Sequence, residues 1–406
     1  MSDLMFDQSM SKIEILFRIT GINITSKGTP NTRKNRIIYI LNFILLNTDV
    51  LGAVCWFISG LLHGKNLTQL TYVAPCVTLS FLGDFKTIFL VLYEKNINQL
   101  IQNLRKMELR EKTRERTDAK DAMIKKKMNF LNAVVNVSYV LNILLLVAFA
   151  INPLVLMGLK YMKTGELEFL LPFLIVYPFN AYDIKVWPMV YIRQIWSEVV
   201  VVLDVCVADF MFYIFCTHIT IQFQLLQHKI EKIIDTPKNI NTKILYNEHF
   251  RTKLIEIIKW HQELIWSTNL LETIYTKSTL YNFVSSSIII CLTGFNVTAI
   301  NDIALVISFL TFLFMGLLQI FFLCFFGDML MKASMDVSDA VHNSYWYLAH
   351  PRIGKHLLLV QTRAQKPCKL TASGFADVNL RAFMKILSTS WSYFALLQTL
   401  YSPPRE

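Results

Sequence analysis

The chain has 406 residues, of which 54% are hydrophobic and 17% charged, and its mean hydropathy is +0.42. A soluble domain cannot bury that much apolar surface, so lipid must cover part of it. The apolar stretches are too long for strands, and only 13 Gly and 11 Pro are available for turns, which favours helices over a β-barrel. The net charge of +11 is spread between apolar stretches, which argues against a nucleic acid partner.

Cysteines and short motifs give no sign of metal or catalytic chemistry. Seven cysteines are an odd number, and six of them fall in or at the edge of apolar stretches, so we expect neither a disulfide framework nor a zinc site. The signatures of metalloproteases, serine hydrolases, P-loop proteins and dinucleotide-binding proteins are absent from the sequence. We therefore predict that the protein is not an enzyme and has no catalytic residue, metal or cofactor.

Seven apolar stretches are each long enough to cross a bilayer as a helix, which takes about 20 residues. They are residues 37–62, 71–93, 130–151, 191–217, 279–298, 303–330 and 378–400. The predicted fold class is therefore all-α, a polytopic membrane protein with seven transmembrane helices. Residues 1–36 carry several charges, so they do not form a cleavable signal peptide, and the first membrane helix is expected to direct insertion.

Basic residues predict the orientation. Lys plus Arg number 6 in residues 1–36, 11 in 94–128, 8 in 228–278 and 6 in 331–379, whereas the alternate segments hold few. By the positive-inside rule, the N-terminus is cytosolic and the C-terminus external. This divides the chain into a cytosolic segment 1–36, helices one to six at 37–330, a cytosolic segment 331–377, and the last helix with the external C-terminus at 378–406. Among four glycosylation sequons, only Asn66 lies in a clear external loop, so it is the candidate for glycosylation.

Two loop regions have a pattern of their own. Apolar residues follow helical spacing at Ile97, Leu100 and Leu104, and again at Phe250, Leu254 and other positions up to Ile265. Such stripes favour packing of helices that continue into the cytosol over a calmodulin-type target. The external segment 152–188 contains four prolines and is expected to be a structured lid.

Charged residues inside membrane spans are functional candidates, because burying them is unfavourable. Neighbouring Ser, Thr or Tyr side chains can also satisfy them, and this structural interpretation carries more weight. The residues concerned are Asp49, Asp84, Lys86, Glu198, Asp204 and Asp209.

The seventh span has one face that changes character along its length. Lys385, Thr389, Ser392, Leu396 and Leu400 step by three or four residues, so they share that face, which is polar at the inner end and apolar at the outer end. A helix that lines a water-filled pathway with a hydrophobic constriction would have this pattern. Ordinary bundle packing explains it equally well.

The C-terminal part of the chain resembles insect odorant receptors. The resemblance lies in KPCKLTASGF at residues 366–375, FMKILSTSWSYF at 383–394 and the two leucines 396–397, with FFGD at 325–328 and YWY at 345–347 upstream. It is close over about the last 80 residues. The segments YPF at 177–179 and QIW at 194–196 suggest a moth- or butterfly-like member.

This resemblance implies a ligand-gated, non-selective cation channel in the plasma membrane of sensory neurons. Four subunits would surround one pore, and each would contribute its last helix. A tuning subunit assembles with an odorant receptor co-receptor, and the short segment 228–278 indicates a tuning subunit. The family's external gate would fall on Leu396 and Leu400, and Lys385, Thr389 and Ser392 would line the pore.

The resemblance also implies where subunits meet and where odorants bind. Subunits would meet at the inner extensions of helices four to six and at residues 351–368, where Leu357, Leu358 and Val360 supply apolar contacts. A volatile odorant would bind in the outer half of the subunit, although each proposed residue could instead simply pack. The candidate pocket residues are Cys76, Ser80, Leu145, Phe149, Val201, Val205, Phe309 and Phe312.

Two other classes of membrane protein fit the sequence less well. A G-protein-coupled receptor also has seven helices, but it requires an external N-terminus, and the sequence lacks an Asp-Arg-Tyr motif after the third span and an Asn-Pro-x-x-Tyr motif in the seventh. A secondary transporter would show an internal repeat or paired broken helices, and neither is evident.

Overall fold

The computed structural model describes residues 4–24, 32–64, 67–113, 117–234, 248–300, 302–348 and 350–401. Asn66, the candidate for glycosylation, lies outside these residues.

The fold is almost entirely helical, as predicted. The ten helices of the described residues are α1 Met5–Thr20, α2 Thr32–Leu62, α3 Leu67–Leu92, α4 Glu94–Lys112, α5 Asp118–Thr164, α6 Trp187–Glu231, α7 Glu248–Ala299, α8 Ile303–His342, α9 Pro351–Ala364 and α10 Leu380–Tyr401, with one 3₁₀ turn at Trp346–Leu348. A small antiparallel hairpin pairs β1 (Thr371–Ala372) with β2 (Ala376–Asp377). Gly374, at φ +78°, takes the left-handed conformation that its turn requires.

Six helices of the described residues are long and apolar enough to cross a membrane: α2, α3, α5, α6, α7 and α8. They contain the first six predicted spans. The seventh span corresponds to α10, which has 22 residues but is less apolar, because Lys385, Thr389, Ser390 and Ser392 lie within it. That α10 crosses the membrane stays a prediction.

Helix α6 is the centre of the bundle. In its most apolar stretch, 89% of the residues are buried inside the protein, compared with 28–50% in the other five candidate spans. Phe212, Phe215 and Phe223 of α6 are completely buried. The other helices therefore surround α6 and leave much of their own apolar surface for lipid.

The helices extend well beyond the predicted spans, as the apolar stripes indicated. Ile97, Leu100 and Leu104 of α4 are buried in the same large apolar core as Leu254 and Ile257 of α7. The stripes therefore pack within the protein, which confirms the packing interpretation.

Helix α1 was not predicted, because residues 1–36 lack a long apolar run. Its first turn is held by Glu108 of α4, whose Oε1 accepts a hydrogen bond from the Met5 backbone N–H at 2.6 Å and whose Oε2 accepts one from Phe6 at 3.0 Å. A carboxylate satisfies the free N–H groups at a helix N-terminus and interacts well with its dipole. The contact joins residues about a hundred positions apart, so local sequence does not reveal it.

The expected start of the external lid at residue 152 is wrong, because α5 continues to Thr164. Pro153 lies inside this helix, where a proline removes only one backbone hydrogen bond. Gly165, at φ +72°, ends α5. The rest of the segment, residues 165–186, contains no helix or strand.

Two of the three residues expected at a subunit contact are instead core residues. Leu357 and Val360 of α9 are buried within this chain, and α9 packs on α8. Helix α9 is amphipathic, so its i, i+3 apolar positions face its own bundle. Leu358 lies on the exposed face.

Candidate functional site

A cavity opens in the bundle next to segment 165–186. It lies between α2, α3, α5, α6 and α8, and the residues Phe173, Leu174 and Ile175 of the segment form part of its wall. Its volume is about 80 Å³. One water needs about 10–15 Å³, so the cavity has room for a small organic molecule.

Most of the wall is apolar, because it is built where two small hydrophobic clusters meet without filling the space between them. Leu46 and Val50 come from α2, Leu145 and Phe149 from α5, and Phe312 from α8. A concave, largely apolar site with a few polar groups is the usual form of a small-molecule pocket.

Six of the eight candidate pocket residues lie on this one wall: Cys76, Ser80, Leu145, Phe149, Val201 and Phe312. Val205 lies about one turn further along α6 and lines a second, deeper cavity near Asp209. Phe309 is completely buried behind the wall, with its ring 5.3 Å from that of Tyr72 and 6.0 Å from that of Phe149. The structure therefore corrects the placement of Val205 and Phe309.

Several wall residues were not among the candidates. The apolar ones on segment 165–186 had no sequence signal, because a segment without regular structure has no periodicity. The polar ones include Tyr72, Gln194 and Ser197. Asp49 and Glu198 also lie on the wall, and the sequence did mark them, as acidic residues inside membrane spans.

Asp49 is the centre of a polar network that ties α2 to α6 and to segment 165–186. Its Oδ1 lies 2.7 Å from the Arg193 guanidinium and accepts a hydrogen bond from Tyr177 at 3.2 Å, and its Oδ2 accepts one from Ser197 at 2.6 Å. These contacts satisfy the acid, as the structural interpretation of the sequence expected. Burial raises the pKa of Tyr177 to about 12, so its hydroxyl keeps the proton that it donates to Asp49.

Gln194 holds segment 165–186 at the cavity through three hydrogen bonds. Its side-chain oxygen accepts a hydrogen bond from the Phe173 backbone N–H at 3.0 Å, and its amide nitrogen donates to the Tyr177 hydroxyl at 3.1 Å and to the Phe173 carbonyl at 3.3 Å. Phe173 is thereby held against the ring of Phe149, 6.1 Å away.

Glu198 differs from these polar residues. Its Oε2 is buried and has no hydrogen bond partner within the described part of the chain.

Another buried charge deeper in the bundle is paired. Lys86 of α3 donates to Asp209 of α6 at 2.6 Å, and Gln319 of α8 donates to the second oxygen of Asp209 at 2.9 Å. This group joins three membrane helices, so Lys86 and Asp209 have a structural role. No cluster of three or more metal-ligating side chains occurs among the residues that the structure describes.

The predicted pore face of α10 is turned away from its own bundle. Ala382, Ile386 and Ser390 are buried against the rest of the chain, whereas Leu396 is 55% and Leu400 70% exposed. Lys385 and Ser392 are also exposed, and Thr389 is half-buried. The described part of the chain therefore leaves this face largely uncovered, and the face is separate from the cavity.

Comparison with known families identifies the chain. The model of the family described as 7tm Odorant receptor matches residues 66–391. The chain belongs to the odorant receptor family. This agrees with the resemblance seen in its C-terminal residues, and it makes the protein a multi-pass membrane receptor and not an enzyme.

Two relatives from Drosophila melanogaster match almost the full length of this odorant receptor. Putative odorant receptor 92a is 25% identical over 98% of this chain and 96% of its own length, and odorant receptor 67c is 28% identical over 95% and 94%. The fold is similar to that of the insect olfactory receptor OR5 from Machilis hrabei in complex with eugenol, with a TM-score of 0.79, 15% identity and coverage of 97% of this chain and 98% of that one. The family extends the full length of the fold, although most of the sequence has diverged.

Proposed function

We propose that this odorant receptor is the ligand-binding subunit of a heteromeric, odorant-gated, non-selective cation channel. The cavity beneath segment 165–186 would hold the odorant, with Cys76, Ser80, Leu145, Phe149, Val201 and Phe312 in its wall. The cavity itself is the observation that carries this proposal, because it is concave, bordered by segment 165–186, largely apolar and sized for a small volatile. The solved relative bound to eugenol supports a small organic ligand.

The channel part of the proposal depends on α10. Its exposed face, with Lys385, Thr389 and Ser392 below Leu396 and Leu400, would line a pore shared by four subunits. A ring of leucines stops ions by excluding water until the ring widens. The partner would be the odorant receptor co-receptor, and the complex would lie in the plasma membrane of sensory neurons.

Co-expression of the chain with a co-receptor, followed by a panel of volatiles, tests this function. The expected result is an inward cation current that depends on the volatile and on both subunits. The control is the co-receptor alone, which should not respond to the same volatiles. Silence with every volatile, although surface labelling shows both subunits delivered, would contradict the proposal.

The proposed orientation has the N-terminus in the cytosol and the C-terminus outside. Glycosylation reports this directly, because only sites on the external side are modified. Removal of glycans by an amidase should shift the electrophoretic mobility of the wild type but not that of Asn66→Gln. Asn23→Gln should show the same shift as the wild type. A shift lost in Asn23→Gln and kept in Asn66→Gln would indicate the opposite orientation.

A further inference from the structure

Glu198 is the one wall residue with an unmatched oxygen atom in the described part of the cavity. Tyr72, Cys76 and Tyr191 lie near enough to interact with its carboxyl group. The Tyr72 hydroxyl, however, donates to the Pro172 carbonyl at 3.3 Å, and the Tyr191 hydroxyl donates to the Ala150 carbonyl at 2.5 Å. Neither hydroxyl proton is directed at Glu198 Oε2.

The other polar side chains of the wall are matched by the protein. Both oxygens of Asp49 accept hydrogen bonds, the amide of Gln194 is bonded to segment 165–186, and the Ser80 hydroxyl donates to the Cys76 carbonyl at 3.0 Å. A buried polar atom without a partner is unfavourable and rare in folded proteins. An oxygen of this kind on the wall of a cavity large enough for a ligand indicates that the ligand supplies its partner.

We propose that Glu198 determines specificity by accepting a hydrogen bond from an O–H or N–H group of the odorant, so that the ligand class is small alcohols and amines. This inference rests on the proposed function of the cavity. The space of about 80 Å³ corresponds to about five to eight water-sized groups, which is the size of a six-carbon alcohol or amine. The hydrocarbon part of the ligand would lie against Val50, Leu145 and Phe149.

The test uses four volatiles with the same number of non-hydrogen atoms on the co-expressed pair: hexanol, hexylamine, hexanal and methyl pentyl ether. The first two carry a donor, and the last two only accept hydrogen bonds. We expect hexanol or hexylamine to activate the wild type at concentrations at least about tenfold lower than the two acceptors, because a site that bonds an O–H or N–H group rejects analogues without one. Glu198→Leu should remove this preference.

Ser80→Ala is the matched control. It also removes a polar group from the wall, but that hydroxyl already donates to its own helix, so the preference for donors should remain. If Glu198→Leu does not reach the cell surface, Glu198→Gln takes its place. Its amide oxygen still accepts, so the potency of hexanol should change by less than about threefold.

Failure of this inference is distinguishable from failure of the proposed function. The role of Glu198 is overturned if hexanal and the ether activate the wild type as well as the donors do, or better. It is also overturned if Glu198→Leu still prefers donors. In both cases the receptor stays odorant-gated. If the pair stays silent to every volatile, thermal unfolding of the purified chain with and without hexanol measures binding alone. A wild type that hexanol does not stabilise, or a stabilisation that Glu198→Leu retains, overturns the inference as well.

Discussion

The two ends of the bundle differ in how completely they are packed. At the end that holds α1, α4 and α9, one continuous core joins buried residues of every helix except α2, and its large side chains, such as Tyr213, Phe223 and Phe326, are almost inaccessible. At the end under segment 165–186, three small clusters replace that core, and a cavity lies between two of them. Protein interiors are normally filled to the density of organic crystals, so the incomplete packing marks the region that a ligand can complete. We therefore expect stability to depend on the first region, and we propose that recognition depends on the second.

The largest effect that tests this comparison is expected at Lys86, in the paired charge group between the two regions. Lys86→Met leaves Asp209 as an uncompensated charge among membrane helices, which costs about 3–5 kcal/mol of unfolding free energy. Surface labelling and thermal unfolding in detergent should show loss of folded receptor. Lys332→Met is the control, because Lys332 pairs with Asp328 but is 66% exposed, and it should have almost no effect. The double variant Lys86→Met with Asp209→Asn should regain part of the lost stability, because it removes the unpaired charge. If the double variant is no more stable than Lys86→Met, the unpaired charge is not the cause.

The same substitution, Phe to Ala, made once in each region compares the two regions directly. Phe326→Ala in the continuous core should cost about 3–5 kcal/mol of stability, whereas Phe312→Ala, beside the existing cavity, should cost about 1–2 kcal/mol, because fewer contacts are lost there. Phe312→Ala should instead change which volatiles activate the receptor, toward larger ones. Thermal unfolding and an odorant dose series measure the two effects. Equal destabilisation by both variants would show that the two regions do not differ as described.

A smaller effect is expected from Glu108, which holds α1 in the packed region. Glu108→Ala removes both acceptors of the first turn of α1 and should cost about 1–3 kcal/mol, because buried N–H groups lose their partners. Glu108→Gln keeps one acceptor and should cost less. Hydrogen exchange of residues 5–10 should increase more in Glu108→Ala than in Glu108→Gln. The same exchange in both variants and the wild type would mean that apolar packing alone holds α1.

The smallest effect is expected at the proposed gate, outside both regions. Leu396→Ala and Leu400→Ala shorten apolar side chains of α10 and so widen the proposed hydrophobic ring. They should raise the basal current or alter ion permeation. The change would be partial, because only some subunits of a mixed tetramer carry it. Met384→Ala is the control, since Met384 is also exposed on α10 but lies about 120° around the helix. Unchanged basal current and permeation in both leucine variants would remove the gate assignment.

Periodicity in the sequence predicted the long helices well. Stripes such as Ile97, Leu100 and Leu104 mark a buried face wherever the helix packs, and the C-terminal motifs indicated the family. The family resemblance did less well with Leu357 and Val360, because apolar residues in a segment show that a face is buried but not whether the same chain or a partner covers it. Helix α1 was not predicted, although Phe6, Met10, Ile13 and Phe17 step by three or four residues and are buried.

The candidate site could be predicted only in part. Residues on α3, α5 and α6 were placed on the correct helices, yet Val205 and Phe309 do not line the cavity beneath segment 165–186, since one turn of a helix decides which space a side chain reaches. Segment 165–186 could not be placed at all, because its position depends on Gln194, Trp187 and other partners rather than on periodicity.

The sequence by itself determined that this protein is a helical membrane receptor of the odorant receptor family, because long apolar runs, basic residues between them and the C-terminal motifs are local properties of the chain. It also marked Asp49 and Glu198 as unusual, since a charge in an apolar run is visible without a structure. Only the tertiary structure separated the two: Asp49 is surrounded by Arg193, Tyr177 and Ser197, whereas the Oε2 atom of Glu198, on a cavity wall, has no hydrogen bond partner among the described residues. Whether a buried acid is satisfied depends on which distant side chains the fold brings within hydrogen bond distance.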